Sequence, residues 1–463
     1  MSFFEKICNS IFLSTSVAIE SLIFGSILTC FFYCLRSHWY RGTILLLLLS
    51  FFAISPIIYL VALTRISWFN QFSVFWQSSL ILCLNMSPLA AILLIFSIGR
   101  LGKTSIQSGL AVAKPIRVLW HVVFPQIILS VLGIFLFVFI LTFIHEEVPS
   151  FLGYRTYAEE FFARIVSMED YRKASLASLP FLFAAGIFLV LIGYMIRKPF
   201  EHRTETESIS LMYLHFDMNR SLIITNGIVL LLIIAGIIFL LMKEVDLSSL
   251  DMLAIENMDL IRNTCAISIA TATMGTLCGG FLYRCFREKI KTKVLVIWGI
   301  IMMFYWLTPL SLSVLALIHF AQMIHCNSIV FDYFILIFGY LLKLLPISFL
   351  LFFIMNAMLT KKMTFILQFI NVSWYDRFMK IALPVQCYKW VVVLIFLTIF
   401  TMNEISATVL LIPPGVETIV VRIYNLMHYG DFSSVAFLSL VQFVLVCTGI
   451  AITQLLMRNH DKA

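Results

Sequence analysis

Charge is what this chain lacks. Only 12% of its 463 residues are Asp, Glu, Lys or Arg, about half the ~25% of an average soluble domain. It is also 61% hydrophobic, with a mean hydropathy of +1.01. No water-soluble core of this length hides so much apolar surface, which excludes a soluble globular protein and predicts an all-α polytopic membrane protein. The ten cysteines form no CxxC pair and lie mostly inside apolar runs. They are small buried hydrophobes, not a disulfide framework or a metal site. No GxxxxGKS/T phosphate loop is present, so any ATP hydrolysis must belong to another chain. The stretch HEEVP at His145 lacks the second histidine of HExxH, which argues against a zinc peptidase. With no catalytic cluster visible either, no enzyme is expected.

What is present is a series of apolar runs. A membrane-spanning helix needs about 20 such residues, and eleven stretches qualify: 13–34, 43–63, 76–99, 127–145, 174–196, 222–242, 263–283, 294–319, 330–358, 389–411 and 433–456. Eleven spans put the termini on opposite sides. With the loop after the first span in the cytoplasm, inside segments hold most of the 32 lysines and arginines. The positive-inside rule then sets the amino terminus outside and the carboxyl terminus inside. The net charge of +8 thus marks topology and a lipid-bilayer setting, not a nucleic-acid partner. The first span has no small-residue cleavage site and is expected to be retained rather than removed as a signal peptide.

The chain also repeats itself at an offset of about 259 residues. LWHVVFPQIILSVLGIFLFVFILTF (119–143) aligns with FMKIALPVQCYKWVVVLIFLTIFTM (378–402), each with a basic lead-in, a proline (Pro125, Pro384) and a span. Pro88 matches Pro346, Ser55-Pro56 matches Thr308-Pro309, and GYRT (153–156) matches GVET (415–418). The expected layout is a first five-span core over 1–203, a linker over 204–262 carrying the extra span 222–242, and a second five-span core over 263–463. An odd number of spans in each parallel copy requires a linking span to restore orientation.

Each core carries one amphipathic, basic cytoplasmic loop, at about 100–126 and 359–388. One reading is a helix lying on the lipid headgroups; the other is a short helix docking into a soluble partner. Equivalent loops in both halves favour a symmetric pair of partners. Here the sequence resembles the permease subunits of binding-protein-dependent ABC importers, whose loop reads E-A-A, three residues, Gly, nine residues, then I-x-L-P. Val122-Val123-Phe124-Pro125 and Ile381-Ala382-Leu383-Pro384 fit its end. The glycine position falls on Val112 and Asn371, and neither half keeps the glutamate or the glycine. Within that group the chain is most similar to fused two-copy permeases of the ferric-iron type, through EVPSFLGYRT, GYLLKLLPISF and SATVLLIPPGVETIVVRIYNLMHYGD.

The resemblance implies a bacterial inner-membrane permease that moves a small solute, Fe3+ first, by alternating access. It implies two copies of a cytoplasmic ATPase that use the ATP, docked at about 104–121 and 363–380, and a periplasmic substrate-binding protein. The coupling residues it marks are Val112, Lys114, Arg117, Pro125, Asn371, Trp374, Asp376, Arg377 and Pro384. Relatives in the group move phosphonates, thiamine or polyamines. An ion-coupled secondary transporter is the alternative, since duplicated spans serve that class too.

Glu146, Glu147 and Glu404 sit near outer span ends and either rim a pathway, where carboxylate oxygens suit Fe3+, or lie in headgroup water. Lys343, three residues before Pro346, is either a structural anchor with a carboxylate or carbonyl partner or a substrate contact. Thr408 joins the pathway candidates. Pro413-Pro414-Gly415 predicts an extended then turning backbone, followed by a short outer helix with Ile419, Ile423, Leu426 and Met427 on one face. Arg422, Tyr424 and His428 would then face water, as a docking surface, a gate or a plain solvated helix.

Overall fold

The computed structural model describes residues 3–34, 38–99, 101, 103–166, 176–197, 236, 238–245, 255, 257–289, 292–324, 328–357, 383–429 and 431–462. Among them all regular structure is helical, without a strand. Six of these helices are long and apolar enough to cross a membrane, or seven if one bent pair counts as a single span. The protein is an all-α, multi-pass membrane protein. Most of the predicted span 222–242 and of the loop 359–388 lies outside the described residues. The chain divides into two compact units, Met1–Asp246 with Phe432–Leu440, and Leu247–Asp431 with Val441–Ala463.

In the first unit, α1 (Phe3–Cys34) is followed by α2 (His38–Ala53) and α3 (Pro56–Leu63). The sequence predicts one span over 43–63, but Ser55-Pro56 breaks it. Proline has no N–H for the carbonyl four residues back and drives its predecessor out of the helical region; Ser55 is extended, at φ −58° and ψ 135°. The freed carbonyls find a donor on α4 (Val74–Ile98), where Asn85 Nδ2 reaches Ile54 O at 2.8 Å and Phe52 O at 3.4 Å. Helix α1 packs along α4 because Gly25 lets the backbones approach. A Cβ at Gly25 would lie 3.0 Å from Ala91 N. Small residues at such seams are how helices associate where lipid removes the hydrophobic drive. Tyr33 adds a hydrogen bond to Ile95 O at 2.8 Å.

The loop after α4 then forms α5 (Lys103–Val112) and α6 (Pro115–Val118), and a π-helical turn (Leu119–Val123) leads into α7 (Phe124–Phe143). Next come α8 (Glu147–Leu152), α9 (Tyr157–Val166) and α10 (Leu179–Arg197). Gly153 closes α8 at φ +73°, with Tyr154 N bonded to Pro149 O and Gly153 N to Ser150 O. This paired closure needs a left-handed residue, hence glycine. Ser10 Oγ of α1 accepts from Tyr157 N at 2.8 Å and so caps α9.

The second unit opens with α11 (Met258–Lys289), then α12 (Thr292–Trp306) and α13 (Leu310–Ile324), which meet at a bend of 82° across Thr308-Pro309. The run predicted as one straight span over 294–319 is therefore a broken pair. Pro309 frees Tyr305 O, and Thr308 Oγ1 takes it at 2.6 Å. Helix α14 (Ile329–Ala357) packs on α11 where Gly279 faces Ser348. A Cβ at Gly279 would lie 2.2 Å from Ser348 Oγ and 2.5 Å from its Cβ. Then come α15 (Leu383–Met402), α16 (Ser406–Leu411), α17 (Ile419–Tyr429) and α18 (Phe432–Lys462), the last assigned to both units. Thr264 Oγ1 of α11 accepts from Ile419 N at 2.9 Å, capping α17 as Ser10 caps α9.

Filling the Gly279 seam should cost stability. Gly279→Val is expected to destabilise by about 1–3 kcal/mol through overpacking, while Gly186→Ala, with no atom within 4 Å of the added carbon, stays within about 0.5 kcal/mol. Thermal melting of the purified chain in detergent checks both, and equal losses would show that the seam is not tight.

Candidate functional site

The second unit brings three predicted residues together. Lys343 lies mid-helix in α14, and Glu404 lies in the short break between α15 and α16, next to the end of a span. Lys343 Nζ donates to Glu404 Oε2 at 2.5 Å. The Glu404 side chain is 12% exposed and that of Lys343 32%. A half-buried pair stands between exposed ion pairs, worth up to about 1 kcal/mol, and buried ones, whose breaking costs about 3–5 kcal/mol. Thr408, fully buried, donates its hydroxyl proton to Glu404 O and accepts from the Tyr340 hydroxyl. Tyr340 stands one turn before Lys343 on α14, so both partners of the Glu404 segment come from one helix. Gln442 Nε2 holds the adjacent residue, bonding Asn403 Oδ1 at 2.5 Å and Met402 O at 3.3 Å.

This arrangement fixes a carboxylate at a helix break, close to the loop that follows α16. Lys343 has a carboxylate partner, as the anchor reading of this residue requires. Tyr340 was not visible as part of the set from the sequence, although its position one turn from Lys343 is a helical-spacing signal.

The loop after α16 follows. Ile412 is extended, and Pro413 to Val416 form a turn closed by Val416 N to Pro413 O at 3.1 Å, with Gly415 at φ +80°. Proline then glycine at the turn centre is the pairing that this geometry requires. On α17, Ile419, Val420 and Ile423 are buried, and Arg422 points outward to pair with Glu417 at 3.4 Å. Arg422 therefore belongs to the rim, apart from the Lys343–Glu404 pair. The His428 side chain lies outside the described residues. A cleft of about 590 Å³ opens beside the turn, lined by Asp259, Asn263, Pro413, Pro414, Glu417 and Asn425.

In the first unit Glu146 immediately precedes α8 and Glu147 begins it, both half-buried. The residue three before the helix proline, Lys343 in the second unit, is here Asn85, which serves the α2–α3 break. The strongest charged contact in this unit is one that the sequence did not single out. Lys6 and Arg164 both pair with Glu160 on α9. The Lys6 hydrogen bond, helped by Arg164, holds the Glu160 carboxyl below the usual carboxylate range against the opposing effect of burial.

In the α5–α6 loop Val112 is 89% exposed, and Lys114 and Arg117 are exposed beside it. The close approach is made by Gly109, not by position 112: a Cβ there would lie 3.1 Å from Val118 Cγ1. Gly109, Val112, Arg117, Val118 and His121 line a shallow cleft of about 380 Å³. Pro125 and Pro384 are each the second residue of their spans, α7 and α15. Asn371, Trp374, Asp376 and Arg377 lie outside the described residues. Among those described, no group of three or more His, Cys, Asp or Glu side chains is placed to hold a metal ion.

Compared with family models, with curated proteins and with solved structures, the chain finds no match. Its function must be argued from these sites.

Two outcomes check the electrostatics. Lys343→Met and Glu404→Gln should each destabilise by about 1–3 kcal/mol. The double variant should melt above the sum of their losses, because neither group is then left alone; strict additivity would mean that the pair does no work. For Glu160 the folded pKa lies below the unfolded one, so its stabilisation is present above the ordinary carboxylate range and is lost as pH falls through the folded value. The melting-temperature gap between the natural chain and Lys6→Met should therefore shrink as pH is lowered into that range. A gap independent of pH overturns the assignment.

Proposed function

We propose that this chain is the transmembrane permease of an ABC importer. It moves a small solute, with ferric iron as the first candidate, across the bacterial inner membrane by ATP-driven alternating access. In this reading eleven spans form two parallel five-helix cores and a linking span, with the amino terminus outside. Two copies of a cytoplasmic ATPase and a periplasmic binding protein complete the machine.

The observation that carries the reading is the recurrence of the same local devices in the two units. A first helix with a glycine (Gly25, Gly279) receives the backbone two residues past a helix proline (Pro88, Pro346). A broken helix follows it (Ser55-Pro56, Thr308-Pro309), and a hydroxyl on the first helix (Ser10, Thr264) caps a short helix after the last break. A left-handed glycine (Gly153, Gly415) lies just before that short helix. Ordered recurrence of unlike devices supports duplication far better than shared hydrophobicity does. Two parallel copies are what a pair of identical motor subunits requires. The exposed Val112 and Trp120, 89% and 59% accessible on a short helical loop, suit insertion into a partner's groove.

Co-purification tests the reading. The tagged full chain is expected to bring down an ATPase, and deletion of 361–380 or Val112→Asp should abolish this. Vesicles should take up labelled Fe3+ only with ATP and both partners. Uptake driven by an ion gradient with no ATPase present would overturn the importer, whereas ATP-driven uptake of another solute would overturn iron alone.

A further inference from the structure

Ionisable side chains inside spans are expensive and mark working sites. Glu20 lies near the middle of the 32-residue helix α1, and its polar neighbours are hydroxyls. Ser16 Oγ donates to Glu20 Oε1 at 2.7 Å. Ser79 Oγ of α4 lies 2.9 Å from both Oε1 and Oε2, and 3.2 Å from Ser16 Oγ. Ser79 is wholly buried and Glu20 half-buried. Among the described residues no lysine, arginine or histidine pairs with Glu20, in contrast to Glu160 and Glu404. Ser21, one turn before the Gly25 contact with α4, is also fully buried.

Two hydroxyl protons satisfy part of a carboxylate's four acceptor directions but none of its charge. An uncompensated carboxylate between apolar helices is costly. Rotating the two hydroxyls would turn their lone pairs inward, giving four hard oxygens, two from the carboxylate and one from each serine. One negative charge matches one positive charge. A trivalent ion would leave two uncompensated.

We infer that Glu20, Ser16 and Ser79 form a binding site for a monovalent alkali cation that ties α1 to α4 in the first unit. The site shares no residue with the proposed transport and coupling residues, and its occupancy does not depend on that reading. A bound ion would clamp the seam that Gly25 creates, so cation binding raises the stability of this unit.

The test uses the full chain in lipid nanodiscs with 22Na+ as the probe, and N-methylglucamine replacing Na+ at constant ionic strength. The expected result is saturable Na+ binding, one ion per chain, with a melting temperature that rises with Na+ concentration. Glu20→Gln should weaken binding by about tenfold or more, and Ser16→Ala with Ser79→Ala should weaken it with the carboxylate kept. Absence of saturable binding, or binding unchanged in Glu20→Gln, overturns the site. Where Glu20→Gln fails to fold, the double serine variant decides, and undiminished Na+ binding by it overturns the site equally.

Discussion

In a bilayer no water is available to the backbone, so every break in a spanning helix needs its own donor. That constraint shapes this protein more than any single contact. Pro56 frees carbonyls that Asn85 satisfies from a neighbouring helix. Pro309 frees Tyr305 O, which Thr308 satisfies from the same chain segment. Pro88 frees Leu84 O, and Ser87 Oγ lies 3.4 Å from it. Each of these three prolines is accompanied by a side chain that makes it tolerable. The bends then persist as fixed features, so the polypeptide can turn within the apolar region without exposing unpaired groups.

The same economy explains the difference between the two units. The position three residues before the helix proline needs a donor in both. Asn85 fills it with an amide that serves backbone alone. Lys343 fills it with a charge, and a charge demands a carboxylate, so Glu404 is drawn into contact at the α15–α16 break. Tyr340 and Thr408 then pin the backbone that carries Glu404. One substitution of donor type, Asn for Lys, thus separates a purely structural solution from one that places an ionic pair beside the loop after α16. Two cores with the same devices need not have the same chemistry.

Much of this was legible in the sequence, and the limits are physical. Ser55-Pro56 and Thr308-Pro309 read in the sequence only as matching marks of the repeat, inside continuous apolar runs, whereas the turn at Gly415 and the short helix from Ile419 were legible. The 82° bend was not, because hydropathy over 294–319 is continuous and records composition rather than direction. Lys343 signalled that it needed a partner, but its spacing along one helix cannot say which of several distant carboxylates supplies it. Glu20 was passed over for the opposite reason. A single carboxylate barely lowers the hydropathy of a long run, and its meaning lies in the serines of another helix. Gly109 is likewise hidden in the sequence, because its close approach is decided by Val118, which faces the glycine across the loop.

An alternating transporter must combine rigid bodies with a few places that yield. Glycine seams such as Gly25 on the Ala91 backbone and Gly279 on the Ser348 side chain are short-range and leave no slack, so each pair of long helices acts as a strut. The loop α5–α6 is built differently. Its apolar Val112 and Trp120 face outward rather than into the unit, and its link to α7 is a π-helical turn, a form found mostly as single turns at functional sites. In the proposed importer, a force applied there by a docked ATPase would pass through this turn before it reached the strut, and α7 would carry it into the first unit. Pro125, second in α7 where its missing N–H costs nothing, lets that helix begin cleanly beyond the turn. In that reading the coupling path would follow the backbone break at the turn rather than the charges of the loop.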